Sequence, residues 1–439
     1  MRSPSVLALA LATVAVPALS VPAAAAGLVD LQRLAQQHDA GFAAARQAFL
    51  AGQEKWPLAR AAILPSVAVS ANLSRSETDT SATPAVGYSP YGYSVSLTQP
   101  LYAPGTWAGV EQGRLQADQA GIALRRAEQD LILRTAQAYF EVLKAESALA
   151  VVKAQQAAIA EQLAQARLGF EVGVATITDT HEAQARFDLT RAQEIEAANA
   201  VEVRRRALEK IIQTPLPVLA VWSTRATLPG VGDKPQADWI RQAEAASLPV
   251  RLAQLDEQIA QAGVGRVRAD ARPKVNLSAS FSDSRNAYLS SGTLDTQTAK
   301  LGVDLTWPLY DGGRTGAGVR EAQAGLDKAR FDLEERRRQA GLEAREAHLG
   351  LVAGLARVKA LEAAVNSSQL QIQSTRTGLE VGIRTRVDVL NAQQQLAAAH
   401  KDLDAARYDL LLTGLKLKAA VGDLTEADLA AADTRLSQP

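Results

Sequence analysis

Residues 171–179 read EVGVATITD, and 209 positions later residues 380–388 read EVGIRTRVD, with five of nine positions identical. In both copies a long helix-forming run ends at a glycine, Gly173 or Gly382. A helix C-terminus accepts a left-handed residue there. Three positions on, Thr176-x-x-Asp179 and Thr385-x-x-Asp388 have the form of a capping box that starts another helix. Each copy therefore reads as the turn of a helical hairpin.

The duplication extends outward from the tips. LPSVAVSANLSRS (64–76) matches RPKVNLSASFSDS (272–284), and YSVSLTQPLYAPG (93–105) matches LGVDLTWPLYDGG (301–313). The chain is two versions of one unit, 27–213 and 236–421, joined by a proline-rich segment, 214–235, and followed by an irregular tail, 422–439. Both irregular segments are expected to form a belt midway along the helices. Each unit runs in the same order: helix (28–62 or 236–271), two strands, long helix (105–170 or 313–379), tip, helix (176–213 or 385–421).

Strands are expected at 64–76, 91–102, 273–284 and 300–309. Val67, Val69, Ala71 and Leu73 alternate with Ser66, Ser70, Asn72 and Ser74; Val275, Leu277, Ala279 and Phe281 repeat the pattern, as do Leu301, Val303, Leu305 and Leu309. Period two over about ten residues is what a tilted transmembrane strand shows; a soluble amphipathic sheet has the same period. Six of the eight tyrosines (88, 91, 93, 102, 288, 310) lie in or beside these stretches, which favours an interfacial girdle. The intervening segments, 77–90 and 285–299, read as long polar loops. Four strands are too few to close a barrel, and lipid does not tolerate an open edge. Oligomerisation is therefore required, and a cyclic trimer supplies twelve strands.

A 66-residue helix is about 100 Å long, and the two shorter helices of each unit sum to a similar length when laid end to end. Pro65, Pro100, Pro273 and Pro308 mark the four helix–strand junctions, where a missing N–H costs least.

The N-terminus has Arg2, an apolar run from Val6 to Ala18, and Ala24-Ala25-Ala26 before Gly27. The run is too short to span a bilayer, so residues 1–26 read as a secretory signal peptide. With 47 basic and 47 acidic residues, nothing marks a nucleic-acid partner. The chain has no cysteine, which excludes disulfides and thiolate metal sites. His38, His181, His348 and His400 make no i, i+4 pair with one another, and no HExxH or phosphate loop appears. No catalytic constellation, metal site or cofactor is implied, so the chain reads as a non-enzyme.

The tips, together with AQAYFEVLKAES at 136–147, resemble the TolC-type outer-membrane efflux protein family, and the likeness covers essentially the whole mature chain. The resemblance implies a mostly α, α+β protomer. Three copies would form a 12-stranded transmembrane β-barrel continued by a long periplasmic α-helical barrel. It implies residence in the outer membrane of a Gram-negative bacterium, in contact with outer-membrane lipid. It implies work as the exit duct of a tripartite export system, with a periplasmic adaptor (membrane fusion) protein and an inner-membrane pump of RND or ABC type. Cargo is either small molecules or secreted protein. The family's gate latch maps to Asp179 and Arg384, and its ring of pore-entrance carboxylates maps to Asp388 and Asn391. The adaptor-docking tips map to Val172, Gly173, Val381 and Gly382. Two departures stand out. Asn391 replaces the second aspartate of the entrance, and Leu379 occupies the place of a latch tyrosine. The rival readings are a trimeric coiled-coil surface adhesin, which would carry its strands once at the C-terminus, and a passive porin, which has no use for 100 Å helices.

Overall fold

The computed structural model describes residues 26–437, apart from 82, 224–225, 229, 231–233 and 289–291. The proposed signal peptide thus lies outside the described residues except for Ala26. That residue is already part of the fold: its N–H donates to the Val218 carbonyl (2.8 Å) and its carbonyl accepts from Ala220 (3.2 Å).

The helices expected over 28–62 and 236–271 are each broken. The first becomes α1 (Leu28–His38), α2 (Ala40–Gln53) and α3 (Lys55–Ala61); the second becomes α6 (Gln236–Ala246) and α7 (Leu248–Ala269). Asp39 causes the first break: its buried carboxylate caps α2 by accepting from the Phe42 N–H (2.7 Å) and receives Arg134 at 3.0 Å. At the second break Pro249 sits in the first turn of α7, where its missing N–H leaves nothing unpaired.

The long helices are α4 (Pro104–Glu171) and α8 (Arg314–Glu380), each followed by a partner, α5 (Ile177–Ile212) and α9 (Arg386–Ala420). At 68 and 67 residues, α4 and α8 are each about 100 Å long. Toward the tips the wall runs α5–α4–α9–α8. Toward the strands, α2 and α3 replace α5, and α7 replaces α9. No described helix is long and apolar enough to cross a membrane.

The main sheet is antiparallel in the order β1 (Ser66–Leu73), β4 (Tyr91–Tyr102), β6 (Lys274–Tyr288), β7 (Gly292–Thr306). Its register sorts the faces. Val69, Val95, Phe281 and Ala299 form one row, and Val67, Leu97, Ala279 and Leu301 the next. This apolar face is exposed, with Leu301 at 78% and Val69 at 72%. The other face is polar: the Ser70 and Ser94 hydroxyls meet at 2.8 Å, and the Ser278 hydroxyl donates to Asp304 at 2.6 Å. Tyr91 and Tyr93 flank the apolar rows at one end; Tyr102, Trp107, Trp307 and Tyr310 lie at the helix end. The side chain of Tyr288 lies outside the described residues.

Strand continues where the polar sequence suggested loops. Over 77–90, β2 (Ser76–Thr80) and β3 (Thr83–Tyr88) form their own hairpin. Over 285–299, β6 and β7 stay paired up to Tyr288 and Gly292. Cross-strand polar pairs replace apolar burial there: Arg285 pairs with Asp295, and Gln297 donates to Asp283 (3.0 Å). At its other end β7 stops at Thr306, short of the expected Leu309, because Pro308 has no N–H to donate.

The linker and tail meet at mid-height. β5 (Val221–Trp222) pairs with β8 (Leu436–Ser437), next to α10 (Glu426–Asp433). Fully buried Tyr139, at the middle of α4, donates its hydroxyl to the Ala220 carbonyl (2.7 Å). Phe140 stacks on Tyr408 at 5.7 Å, whose hydroxyl accepts from the Trp222 N–H (3.3 Å). Asp433 accepts from the Leu28 N–H (2.6 Å), closing the start of α1.

Burial pushes the Tyr408 phenol up to about 12 and the Tyr139 phenol higher. Both return to about 10 on unfolding, so only the unfolded chain ionises them between those values. Stability is therefore expected to fall as pH rises from about 10 to 12. Absorbance titration at 295 nm should show two phenols that resist ionisation until the protein unfolds. Tyr139→Phe should lower stability by about 1–2 kcal/mol, measured by denaturant unfolding, by leaving the Ala220 carbonyl short of a donor.

Candidate functional site

The two tips are superposable in chemistry. Gly173 and Gly382 take φ of +79° and +78°, where a side chain is strained. Beyond each, two successive N–H groups fold back onto one carbonyl. Val174 and Ala175 donate to Gly169 at 2.8 and 3.1 Å; Ile383 and Arg384 donate to Gly378 at 2.9 and 3.1 Å. The next helix starts at a reciprocal cap. Asp179 N–H donates to the Thr176 hydroxyl (3.2 Å) and Thr176 N–H to the Asp179 carboxylate (2.8 Å). Thr385 and Asp388 repeat this at 3.2 and 2.9 Å.

Gly169 and Gly378 are structural residues of the tips that the sequence reading missed. A Cβ on Gly378 would lie 2.7 Å from Cγ of Arg384, and one on Gly169 would lie 3.1 Å from Cβ of Ala175. Both glycines make room for the returning chain. The signal was available: they recur at the same 209-residue offset as the tips.

Arg384 is exposed, with its stem folded over Gly378. Among the described residues no ion pair joins it to Asp179, or to any other carboxylate of the same chain. The two latch candidates sit on different hairpins. Asp388 is half-buried at the start of α9 and Asn391 is exposed one turn on, both on one helix face. Leu379 is partly buried at the end of α8 and has no donor to offer. Val172, Val174, Val381 and Ile383 are exposed, so each tip ends in bare apolar surface. Among the described residues no group of three or more His, Asp or Glu is placed to hold a metal ion.

Both capping carboxylates are held below the usual range. For Asp179 the Thr176 N–H is the main cause, followed by the Thr176 hydroxyl. For Asp388 the Thr385 N–H leads, then its hydroxyl, with the charge of Arg384 adding to them. Both capping carboxylates thus stay ionised at neutral pH.

The outer membrane efflux protein family matches this chain twice, over residues 31–213 and 239–423. The alkaline protease secretion protein AprF of Pseudomonas aeruginosa is 32% identical over 414 residues, which span 92% of this chain and 86% of that one. The outer membrane protein TolC of Vibrio cholerae is 31% identical over 406 residues, spanning 91% and 89%. Among solved structures, the CmeC outer membrane channel of Campylobacter jejuni superposes with a TM-score of 0.78 at 16% identity, over 93% of this chain and 90% of that one.

The caps set an expectation for hydrogen exchange. Each carboxylate's folded pKa is depressed, so the cap persists as pH falls through the ordinary aspartate value near 4 and is lost only below it. Amides in the first turns of α5 and α9 should stay protected down to that point. Thr176→Ala or Thr385→Ala should cut their protection about fivefold, the effect of roughly 1 kcal/mol of lost capping.

Proposed function

Because the chain belongs to the outer membrane efflux protein family, we propose that its two hairpins are the entrance, and its sheet the exit, of a trimeric export duct. The protein is an outer-membrane channel that passes cargo from an export system to the exterior. The observation that carries the finer reading is one continuous pair of long hairpins beneath a sheet with one apolar and one polar face.

The free edges favour a trimer. Among the described residues β1 and β7 each lack a partner on one side, and lipid does not tolerate an open edge. Three copies give twelve strands and a closed barrel. The helices support the same assembly. Leu349 and Val352 on α8 are exposed, whereas their first-repeat counterparts Phe140 and Leu143 are buried beneath neighbouring elements. A second copy would cover the α8 face in the same way. Neither an adhesin nor a passive porin accounts for duplicated strands set on 100 Å hairpins.

The tips are the gate. The bonds of the Asp179 cap leave one of its carboxylate oxygens open, and among the described residues Arg384 has no ion-pair partner in its own chain. The latch is therefore a pair between neighbouring copies. Such an exposed pair is weak, so a partner docking on Val172, Gly173, Val381 and Gly382 is able to release it. That partner is a periplasmic adaptor, which joins the duct to an inner-membrane pump of RND or ABC type. The pump selects the cargo. The name of AprF associates that relative with protease secretion, and protein export is the first cargo to test here. With Asn391 beside Asp388, each trimer presents three entrance carboxylates instead of six.

Arg384→Ala is expected to raise single-channel conductance severalfold in planar bilayers; unchanged conductance sinks the latch. Asn391→Asp is expected to strengthen block by hexamminecobalt(III) by about tenfold, and equal block would remove the single-ring reading. Crosslinking from Val172 and Val381 in the native host should trap an adaptor together with either an ABC or a proton-driven pump.

A further inference from the structure

The polar face of the sheet carries few charges. Along β1, β4, β6 and β7 it consists chiefly of serine, threonine, asparagine and glycine, and its charged side chains are Lys274, Asp304 and Lys300. Two of these three are occupied. Lys274, at the helix end of β6, pairs with Asp270 at 3.3 Å, and Asp304 accepts from the Ser278 hydroxyl at 2.6 Å. Lys300 is exposed, and among the described residues its ammonium meets no acceptor. It ends the rung Ala68–Ser96–Ser280–Lys300. That rung sits within the apolar band of the opposite face, between the rows of Phe281 and Leu301.

Closing the sheet in threes leaves Lys300 unpaired. It stands on the edge strand β7, whose free side meets β1 of the next copy in the proposed trimer. β1 reads SVAVSANL and carries no charge, so no register of that seam supplies a carboxylate. Twelve strands about 4.8 Å apart and tilted by about 40° enclose a barrel of roughly 12 Å backbone radius. A lysine stem of about 6 Å pointing inward then holds its ammonium roughly 6 Å from the axis. That is inside the Debye length of about 8 Å at physiological salt, so three such groups act across the whole bore. Asp304 has a shorter side chain, drawn to Ser278 at the wall, and lies about 13 Å of strand nearer the helices. Its charge is screened from the level of Lys300.

We infer that Lys300, contributed once by each copy, forms a positive ring inside the barrel that sets the charge preference of the exit. This rests on the trimeric-duct reading and assigns a specificity residue to it. An ionisable side chain at membrane depth is kept where it serves a water-filled path, and lumen side chains tune what passes. The ring favours anionic groups on cargo and holds polyvalent anions, and it turns back cations that enter from outside. Its sign is opposite to that of the entrance carboxylates contributed by Asp388, so the two ends of the duct discriminate in opposite senses.

The test uses the purified full chain in planar bilayers, with tripolyphosphate added to the chamber on the barrel side. The expected result is block of the parent channel, weakened about tenfold or more in Lys300→Gln and kept within about twofold in Lys300→Arg. Lys300→Glu should exchange the probe: hexamminecobalt(III) from the barrel side then blocks, and tripolyphosphate does not. Equal block of the parent and of Lys300→Gln by tripolyphosphate, or block of neither, overturns the ring. If the parent chain forms no channel in the bilayer, the duct reading falls, and the ring with it.

Discussion

Each long helix is walled by two shorter ones laid end to end, and the joint between them has to be closed. A helix end leaves up to four backbone groups without partners, and here several ends fall at the same height. The linker and tail supply the missing partners. Asp433 takes the Leu28 N–H, and the Gln129 amide reaches the carbonyls of Gly422 and Leu424. Gly422 takes a positive φ where a Cβ would strike the Ala246 carbonyl at 2.9 Å. Tyr139, Phe140, Tyr408 and Trp222 fill the remaining space. The mid-height belt is thus the consequence of building a long wall from helices of unequal length.

The sheet answers a different solvent. One face is apolar and the other carries serine, asparagine and Asp304, which in the proposed barrel places the first against lipid and the second against water. In the proposed trimer, the same alternation that makes one chain incomplete makes three sufficient. Beyond the apolar rows the ladder is held by charge and amide pairs instead, which is why β6 and β7 continue past the point where hydrophobic patterning stops.

Much of this was legible in the sequence, for physical reasons that can be named. The hairpin tips declared themselves through a glycine followed by a capping box, both local signals. The strands declared themselves through period two. The extended hairpins did not: SETDT at 76–80 has no apolar alternation, and only its partner strand makes it a strand. β5 and β8 are two residues each and lie more than 200 positions apart. The ion pair of Lys144 with Asp409 was equally hidden, since both are ordinary helix-surface residues until the wall brings them together. The break at Asp39 was readable in principle, as an aspartate positioned to cap, but the helical pattern on both sides masked it.

The aromatic residues at the base of the sheet carry one more implication. Tyr102, Trp107, Trp307 and Tyr310 fix the depth at which the protein sits, because such side chains settle at the boundary between lipid and water. From that boundary the helices run stiffly for about 100 Å. The molecule therefore acts as a ruler: the aromatic anchors set its zero, and helix length sets the mark at which the tips stand. In the proposed duct, whatever reaches those tips from the opposite membrane must cover the rest of the gap itself, so the width of the compartment is shared out between two proteins by residue count.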